Sequence, residues 1–518
     1  MANGFYREEA QNIPVYKECD ILVVGGGAAG QAAALAAARA GAKDIVLMER
    51  YGYMGGDVTG GYVIMIPNMS WYNLEYVKGI QEEWLQRIDK IPGALMAPGL
   101  DEIGSTDPEK VAKWKGIHDC VSRGTFGGCK PSMLVRSPYY DPQYLKIILD
   151  QMINEEKDRI TVCYHSWGTK PIMEDGVIKG VIFESKEGRK AILAKVVIDA
   201  TGDGDIYSQT GTPFQSLADA ECRSSTTALV YRVGGIDWEK WTAIQAQDQK
   251  FGMMFKRKMA QVAGFRIFPL PTNNNNVCWL NNWHKDMDCT TIKNQTQTEI
   301  ETRLTILDVI EFMKKEVPEC FGGAYLYDIA PQLGYRCSRR LQGEYIMTTN
   351  DFAFAKKHDD VIAWHSTICQ INDCGPVEIP LGAITPRNVE NLLAPGRHLS
   401  TDNIAIDWLN LIPQCTGTGQ AAGVAAAVAV MDGVKIHDVN VKKVQDILAG
   451  EQDVPLPRNE HTPAEYTQLC EEHEYGLYTD AAKEAAEKGE SYTQSFRQDT
   501  NYKTGENESA KNFSSTEH

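Results

Sequence analysis

The 518-residue chain has no CxxC pair; its thirteen cysteines are scattered from Cys19 to Cys470. That spacing argues against a zinc cage, a dithiol redox centre and an on-chain iron–sulfur cluster. It reads as the reduced thiols of a cytoplasmic protein. No stretch reaches the roughly 18 apolar residues that span a bilayer, so no membrane insertion is expected. The start, MANGFYREEAQNIPVYKECD, has no basic end followed by an apolar run, so no signal peptide is expected. Basic residues are in deficit, 52 Lys+Arg against 69 Asp+Glu, for a net charge of -17. A chain so acidic is a poor partner for nucleic acid or an anionic membrane. No metal-ligand spacing stands out, and there is no internal repeat.

What is present is the balance of a folded globular protein, with 43% hydrophobic and 23% charged residues. The length suits two to four structural units. Residues 20–49 read strand–loop–helix–strand: DILVVG, then AAGQAAALAAARAG, then KDIVLMER. This is a βαβ unit with a parallel sheet implied. Residues 141–158 read as a helix with Leu145, Ile148, Leu149 and Met152 on one face. Strands follow in ITVCYH, GVIKGVIFES and KAILAKVVIDATGDGD. From 208 to 385 the βαβ character is lost, which reads as an inserted α+β substrate domain. Strand and small-residue helix return in 386–450. Residues 451–518 hold 15 Asp+Glu and 6 Lys+Arg and few aliphatic residues. They read as an acidic surface extension and a candidate contact for a homo-oligomer. The expected fold class is therefore α/β: a Rossmann-like nucleotide-binding domain in two parts, 1–207 and 386–450, around the insertion.

Gly25, Gly27 and Gly30 form GxGxxG between the first strand and the first helix. The glycines allow a tight turn, close approach of a pyrophosphate and helix–strand contact. The helix N-terminus offers free N–H groups to phosphate. Glu49, at the end of the next strand, lies where a carboxylate holds ribose hydroxyls. Four further segments favour FAD over NAD. YMGGDVTGG (53–61) carries paired glycines that let backbone pass a bulky planar ligand. AKVVIDATGDGD (194–205) and NLLAPGRHLS (391–400) are strands ending in small residues. TGTGQAAG (416–423) opens a second small-residue helix whose dipole suits the reduced flavin.

With these segments in hand, the chain resembles the bacterial FAD-dependent oxidoreductases related to fumarate reductase and succinate dehydrogenase flavoproteins, within the glutathione-reductase-like superfamily. The blocks carrying the resemblance are Gly25–Gly30, Gly55-Gly56, Ala200–Asp205, GYRCSRRLQGEYIMTTND (334–351) and Asn391–Ala427. The resemblance implies non-covalent FAD. It places Gly25, Gly27, Ala29 and Gly30 at the pyrophosphate, and Glu49 with Arg50 at the adenosine ribose. Gly55, Gly56 and Asp57 would line the flavin and ribityl region. Trp167 would give a backbone contact to adenine, Gly202 would lie at the ATG turn, and Gly396, Arg397, Gly419 and Gln420 would close over the flavin. Where relatives show a His and an Arg after GRxxS, this chain has Asn403 and Asn410. If those positions face the substrate, the substrate is less anionic than a dicarboxylate.

Hydride transfer needs a neighbouring acid or base. His398, beside Gly396-Arg397, is the first candidate, with a hydrogen-bonded core histidine as the alternative. Arg336, Arg339 and Arg340 form a cation cluster with Glu344. Arg336 reads as an anion or carbonyl clamp, and Arg340–Glu344 as an ion pair joining the two domains. Tyr345, Tyr62 and Asp57 are further candidates, and Asp407 and Trp408 are candidate pocket walls. The expected function is hydride exchange between flavin and a small or medium organic substrate. A dehydrogenase or oxidase is preferred to an enoate-type reductase, with a flavin hydroxylase or a non-catalytic flavoprotein as rivals. One GxGxxG leaves the electron acceptor or donor external.

Overall fold

The computed structural model describes residues 6, 8–67, 69–117, 120–121, 133–216, 227–284, 287–365, 376–402 and 405–472. Asn403, the tail from 473, and the side chains of Asp407 and Trp408 lie outside the described residues.

Strand β1 (Val15–Val24) runs into the glycine turn, helix α1 (Ala28–Arg39) follows, and β2 (Ile45–Met48) returns parallel to β1. Helix α2 (Pro142–Glu155) starts on Asp141, whose carboxylate accepts the Gln143 N–H at 2.8 Å. It leads to β3 (Ile160–Cys163), β4 (Trp167–Glu174), β5 (Val177–Ser185) and β6 (Gly188–Asp199). The sheet order is β3-β2-β1-β6-β5-β4. β6 changes partner along its length. Gly188–Leu193 pairs antiparallel with β5, whereas Val197 and Ile198 pair parallel with a late strand (Leu392–Leu393). The fold is thus α/β with a Rossmann-like nucleotide-binding sheet, as the sequence pattern implies.

A second unit has its own core from Tyr231 to Ala324. Its sheet is wholly antiparallel, in the order β8 (Arg266–Pro271), β9 (Val277–Trp283), β7 (Tyr231–Gly234), β10 (Tyr325–Ile329). Helices α3 (Trp238–Gln247), α4 (Gln249–Ala263) and α5 (Ile292–Glu316) accompany it. Trp241, Phe255 and Phe321 meet at its centre. Part of the stretch before the expected boundary at 385 packs with the first unit. Ile362, Ala363, Trp364, Val377 and Ile379 bury in the first core, against the small-residue helices.

Helix α6 (Ile412–Asp432) starts four residues before the expected TGTGQAAG segment, with Pro413 in its first turn. It crosses α1 at backbone contact. A Cβ on Gly419 would stand 2.2 Å from the Ala29 carbonyl oxygen, and one on Gly423 would stand 2.1 Å from that of Ala33. Only glycine admits this approach. The acidic extension expected from 451 begins inside the fold. Val454, Leu456, Tyr466 and Leu469 are buried, the last two on α7 (Ala464–Glu472), and the Tyr466 hydroxyl reaches the Glu75 carbonyl. Its acid-rich composition masks those four residues.

Candidate flavin site

The C-terminal ends of β1, β2 and β6 open on a cleft. Switch points of this kind are where α/β sheets bind ligands. Gly25 turns the chain with φ +99°, and α1 then points its free N–H groups into the cleft. A Cβ on Gly27 would meet nothing within 4 Å, so this backbone faces open space. The Gly55 N–H donates to the Gly26 carbonyl at 2.8 Å and ties the second glycine loop to the first.

Glu49 is buried. Its carboxylate oxygens accept the N–H groups of Gly26 at 2.7 Å and Tyr51 at 2.8 Å. Each oxygen keeps one lone pair for an incoming hydroxyl. Burial raises its pKa against those bonds. Arg50 lies between the Tyr51 and Trp167 rings, its Cζ 5.0 and 5.8 Å from their centroids. It makes no ion pair among the described residues, so its charge is free to meet a phosphate.

The far wall is built by four segments brought together. Arg397 donates through Nη1 to Asp57 at 2.7 Å, through Nη2 to Asp203 at 3.1 Å, and through Nε to the Gly202 carbonyl at 2.9 Å. Ser338 donates to Asp203 at 2.7 Å, and Arg339 donates to the Asp203 carbonyl and to Asp205. Burial raises the Asp57 pKa, and Arg397 only partly opposes it. Burial pushes Asp203 the same way, but Arg397 and Ser338 outweigh it and hold the carboxyl below its ordinary value. Burial, then the Asp203 and Asp199 carboxylates, push Asp205 up to about 6. Arg397 stays charged: burial opposes this, and Asp203 and Asp57 overcome it.

Of the expected residues, Gly25, Gly27, Ala29, Glu49, Arg50, Gly56, Asp57, Trp167, Gly202, Gly396, Arg397 and Asn410 line the cleft. Others do not. Gly30 faces the Gly25 carbonyl, and Gly55 positions the loop from behind. Gly419 serves the helix crossing described above. Gln420 turns away, accepting the Ile80 N–H at 3.2 Å and donating to Gln452 at 3.0 Å. His398 is fully buried against Tyr207 with Nε2 on the Asp199 carbonyl, and burial lowers its pKa. It does not line the cleft, and its packing is that of the hydrogen-bonded core-histidine alternative.

Arg336 sits over Trp283 of the second unit, 4.9 Å from the ring. Tyr345 donates to Asp351 at 2.5 Å and accepts from Lys356 at 2.6 Å, away from the cleft. Glu344 pairs with His437 at 3.3 Å, not with Arg340, whose guanidinium donates to the Thr401 carbonyl. Tyr62 reaches Asp328 of the second unit at 3.0 Å. Sequence reasoning missed Gln332, Tyr335 and Cys415 as lining residues, and Asp203 as a partner of Arg397. Tyr335 and Asp203 stood inside quoted blocks, but no local signal marked their side chains.

The cleft therefore fits FAD on its own geometry: an open cradle at Gly27, an oriented carboxylate at Glu49 and an unpaired cation at Arg50. A 91-residue stretch is 37% identical to urocanate reductase of Eggerthella lenta, covering 17% of this chain and 14% of that relative's length. Partly similar solved structures include a geranylgeranyl bacteriochlorophyll reductase-like protein of Thermoplasma acidophilum. It is 14% identical with a TM-score of 0.37, over 88% of this chain and 84% of that one. Another is p-nitrophenol 4-monooxygenase PnpA of Pseudomonas putida, at 11% identity and a TM-score of 0.42, over 91% and 93% of the two chains. No helix among the described residues is long and apolar enough to cross a membrane. The family model described as FAD dependent oxidoreductase matches residues 20–448, most of the chain, and the protein belongs to that family of FAD-dependent enzymes.

Proposed function

We propose that this oxidoreductase is a dehydrogenase or oxidase acting on a small or medium-sized organic molecule of low negative charge. The observation that carries the reading is the double pairing of Arg397. One guanidinium faces two carboxylates, Asp57 and Asp203, so this cation is already committed and adds no net positive charge for a dicarboxylate. Asn410 adds a neutral amide to the same cleft. Bound FAD supplies the two-electron acceptor.

The chain's own residues do the rest. Asp57 accepts the substrate proton that accompanies oxidation. Its Oδ2 is held by Arg397, and burial raises its basicity. Arg397 orients that carboxylate and offsets its charge. Arg50, Glu49 and the α1 N-terminus hold the nucleotide end. The single dinucleotide motif leaves the electron acceptor external, and the unpaired cysteine pattern supports a cytoplasmic setting.

The similarity to urocanate reductase supports a second reading, reduction of a carbon–carbon double bond. Anaerobic titration of the FAD-loaded protein separates the two. Loss of the visible flavin absorbance on adding an alcohol, amine or sugar supports the first reading. Bleaching by NAD(P)H or dithionite alone, with recovery on adding an unsaturated acid, supports the second and overturns the first.

A further inference from the structure

The second glycine loop ends in a further pair, Gly60-Gly61, that the pyrophosphate cradle does not use. Neither glycine takes a left-handed φ. What each supplies is space. A Cβ on Gly61 would stand 2.8 Å from Asp57 Oδ1, and one on Gly60 would stand 2.5 Å from both Gln332 Oε1 and the Tyr53 hydroxyl. Those three side chains stand in a row, Asp57, Gln332, Tyr53, in the space the two glycines leave.

Gln332 follows β10 of the second unit, is buried, and lines the cleft. Its backbone N–H donates to the Gly60 carbonyl at 3.4 Å. Its Oε1 accepts the Tyr53 hydroxyl at 3.2 Å, and its Nε2 donates to Asp57 Oδ1 at 3.5 Å. A carboxylate only accepts, so the amide turns Nε2 toward Asp57 and Oε1 toward Tyr53. Tyr53 is itself held. Its ring stacks on that of Tyr51 with centroids 5.5 Å apart, and Lys146 Nζ lies 4.3 Å from its centroid. Burial raises the Tyr53 pKa, so the hydroxyl keeps the proton it donates.

Arg397 grips Asp57 through Oδ2. The terminal torsion of an aspartate is soft, so a contact to one oxygen leaves the other free to swing. Gln332 supplies the contact to Oδ1. It occupies one lone pair of that oxygen and leaves the other for a proton. Resting on the reading of Asp57 as proton acceptor, we infer that Gln332 is a positioning residue. Through it the second unit fixes Oδ1 of Asp57 as the oxygen that takes the proton, and Tyr53 sets the amide that does so.

Infrared titration of the full-length, FAD-loaded protein tests this without a substrate. The protonated-carboxyl band of Asp57 is the one that Asp57→Asn removes. Gln332→Met keeps the volume and removes the donor to the carboxylate. Its Asp57 band is expected to persist to higher pH by about one unit, the tenfold change in ionisation that loss of one hydrogen bond to a charged group brings. Gly60→Ala displaces the Gln332–Tyr53 pair without altering either residue and is expected to move the band the same way. Tyr53→Phe is expected to give a smaller shift in that direction. A merely structural Gln332 would change stability and leave the titration where it is. Gln332→Met and Gly60→Ala proteins that titrate with wild type overturn the inference and leave Asp57 as the acceptor. Where Gln332→Met loses its flavin, Gly60→Ala and Tyr53→Phe decide in its place. Absence of an Asp57 band at every pH overturns the acceptor reading, and the inference with it.

Discussion

The Arg397 guanidinium meets the Asp57 carboxylate at 2.7 Å in the wall of the flavin cleft. Neither group is comfortable there alone, because burying an unpaired charge costs several kcal/mol. Asp57→Asn keeps the shape and removes the proton acceptor. It is expected to slow substrate-driven flavin reduction by about 100- to 10,000-fold, with FAD still bound. Stopped-flow absorbance measures the rate, and an unchanged rate removes Asp57 from the chemistry.

Arg397→Ala leaves Asp57 and Asp203 without their shared cation. It is expected to destabilise the fold by about 3–5 kcal/mol, read from denaturant unfolding. A smaller loss than Asp57→Asn causes would mean that the three groups are not coupled.

Arg50→Ala removes the unpaired cation of the cleft. Loss of one charge-assisted contact, about 1.5–3 kcal/mol, is expected to weaken FAD binding by roughly ten- to a hundredfold. Equilibrium dialysis of the apoprotein against FAD gives the value. Arg50→Lys keeps the charge but loses the planar stack between Tyr51 and Trp167, and falls between the two.

Gly423→Ala puts a methyl group 2.1 Å from the Ala33 carbonyl oxygen. The α1–α6 crossing must open, and overpacking of this kind costs about 1–3 kcal/mol or more. A lower Tm with reduced flavin retention is the expected result.

Glu75 and Glu82 share one buried cation, Arg136, at 3.5 Å from each. Burial, then the Glu82 carboxylate, pushes Glu75 up to about 9 against the pull of Arg136. The folded chain therefore keeps a proton that the unfolded chain releases above 4.5, the ordinary value. Stability from this group is fully present below that value and falls as pH rises toward 9, by about 1.4 kcal/mol per pH unit at most. Glu75→Gln stays neutral, so its unfolding free energy should fall less steeply between pH 7 and 9. Parallel profiles would show that the pair does not hold the proton.

Local sequence carried the nucleotide half of this site well. The glycine turn, Glu49 and the small-residue helices each stand at a recognisable spacing or composition along the chain, so the sequence pattern exposes them. Helix α2 was equally legible, with Asp141-Pro142 at its start and one apolar face. The flavin wall was not. Arg397 takes its partners from segments hundreds of residues away, and nothing beside it announces Asp203. His398 shows the converse failure. Its neighbours in sequence line the cleft, but its own ring turns back under β6. Gln420 likewise sits one residue past Gly419, yet the helix rotates it toward Ile80. Adjacency along the chain predicts which loop reaches a site, not which side chain faces it.

Asp57 and Arg397 are 340 residues apart in the chain. A ribosome adding 5–20 residues per second takes roughly 20 to 70 s to cover that interval. Throughout it, the growing chain holds a glycine cradle with no far wall and an alanine-rich α1 whose covering helix, α6, is not yet made. Cofactor capture is therefore a late event, completed once synthesis has passed α6. Truncations ending before Arg397 leave a nascent sheet that exposes apolar surface and holds no flavin.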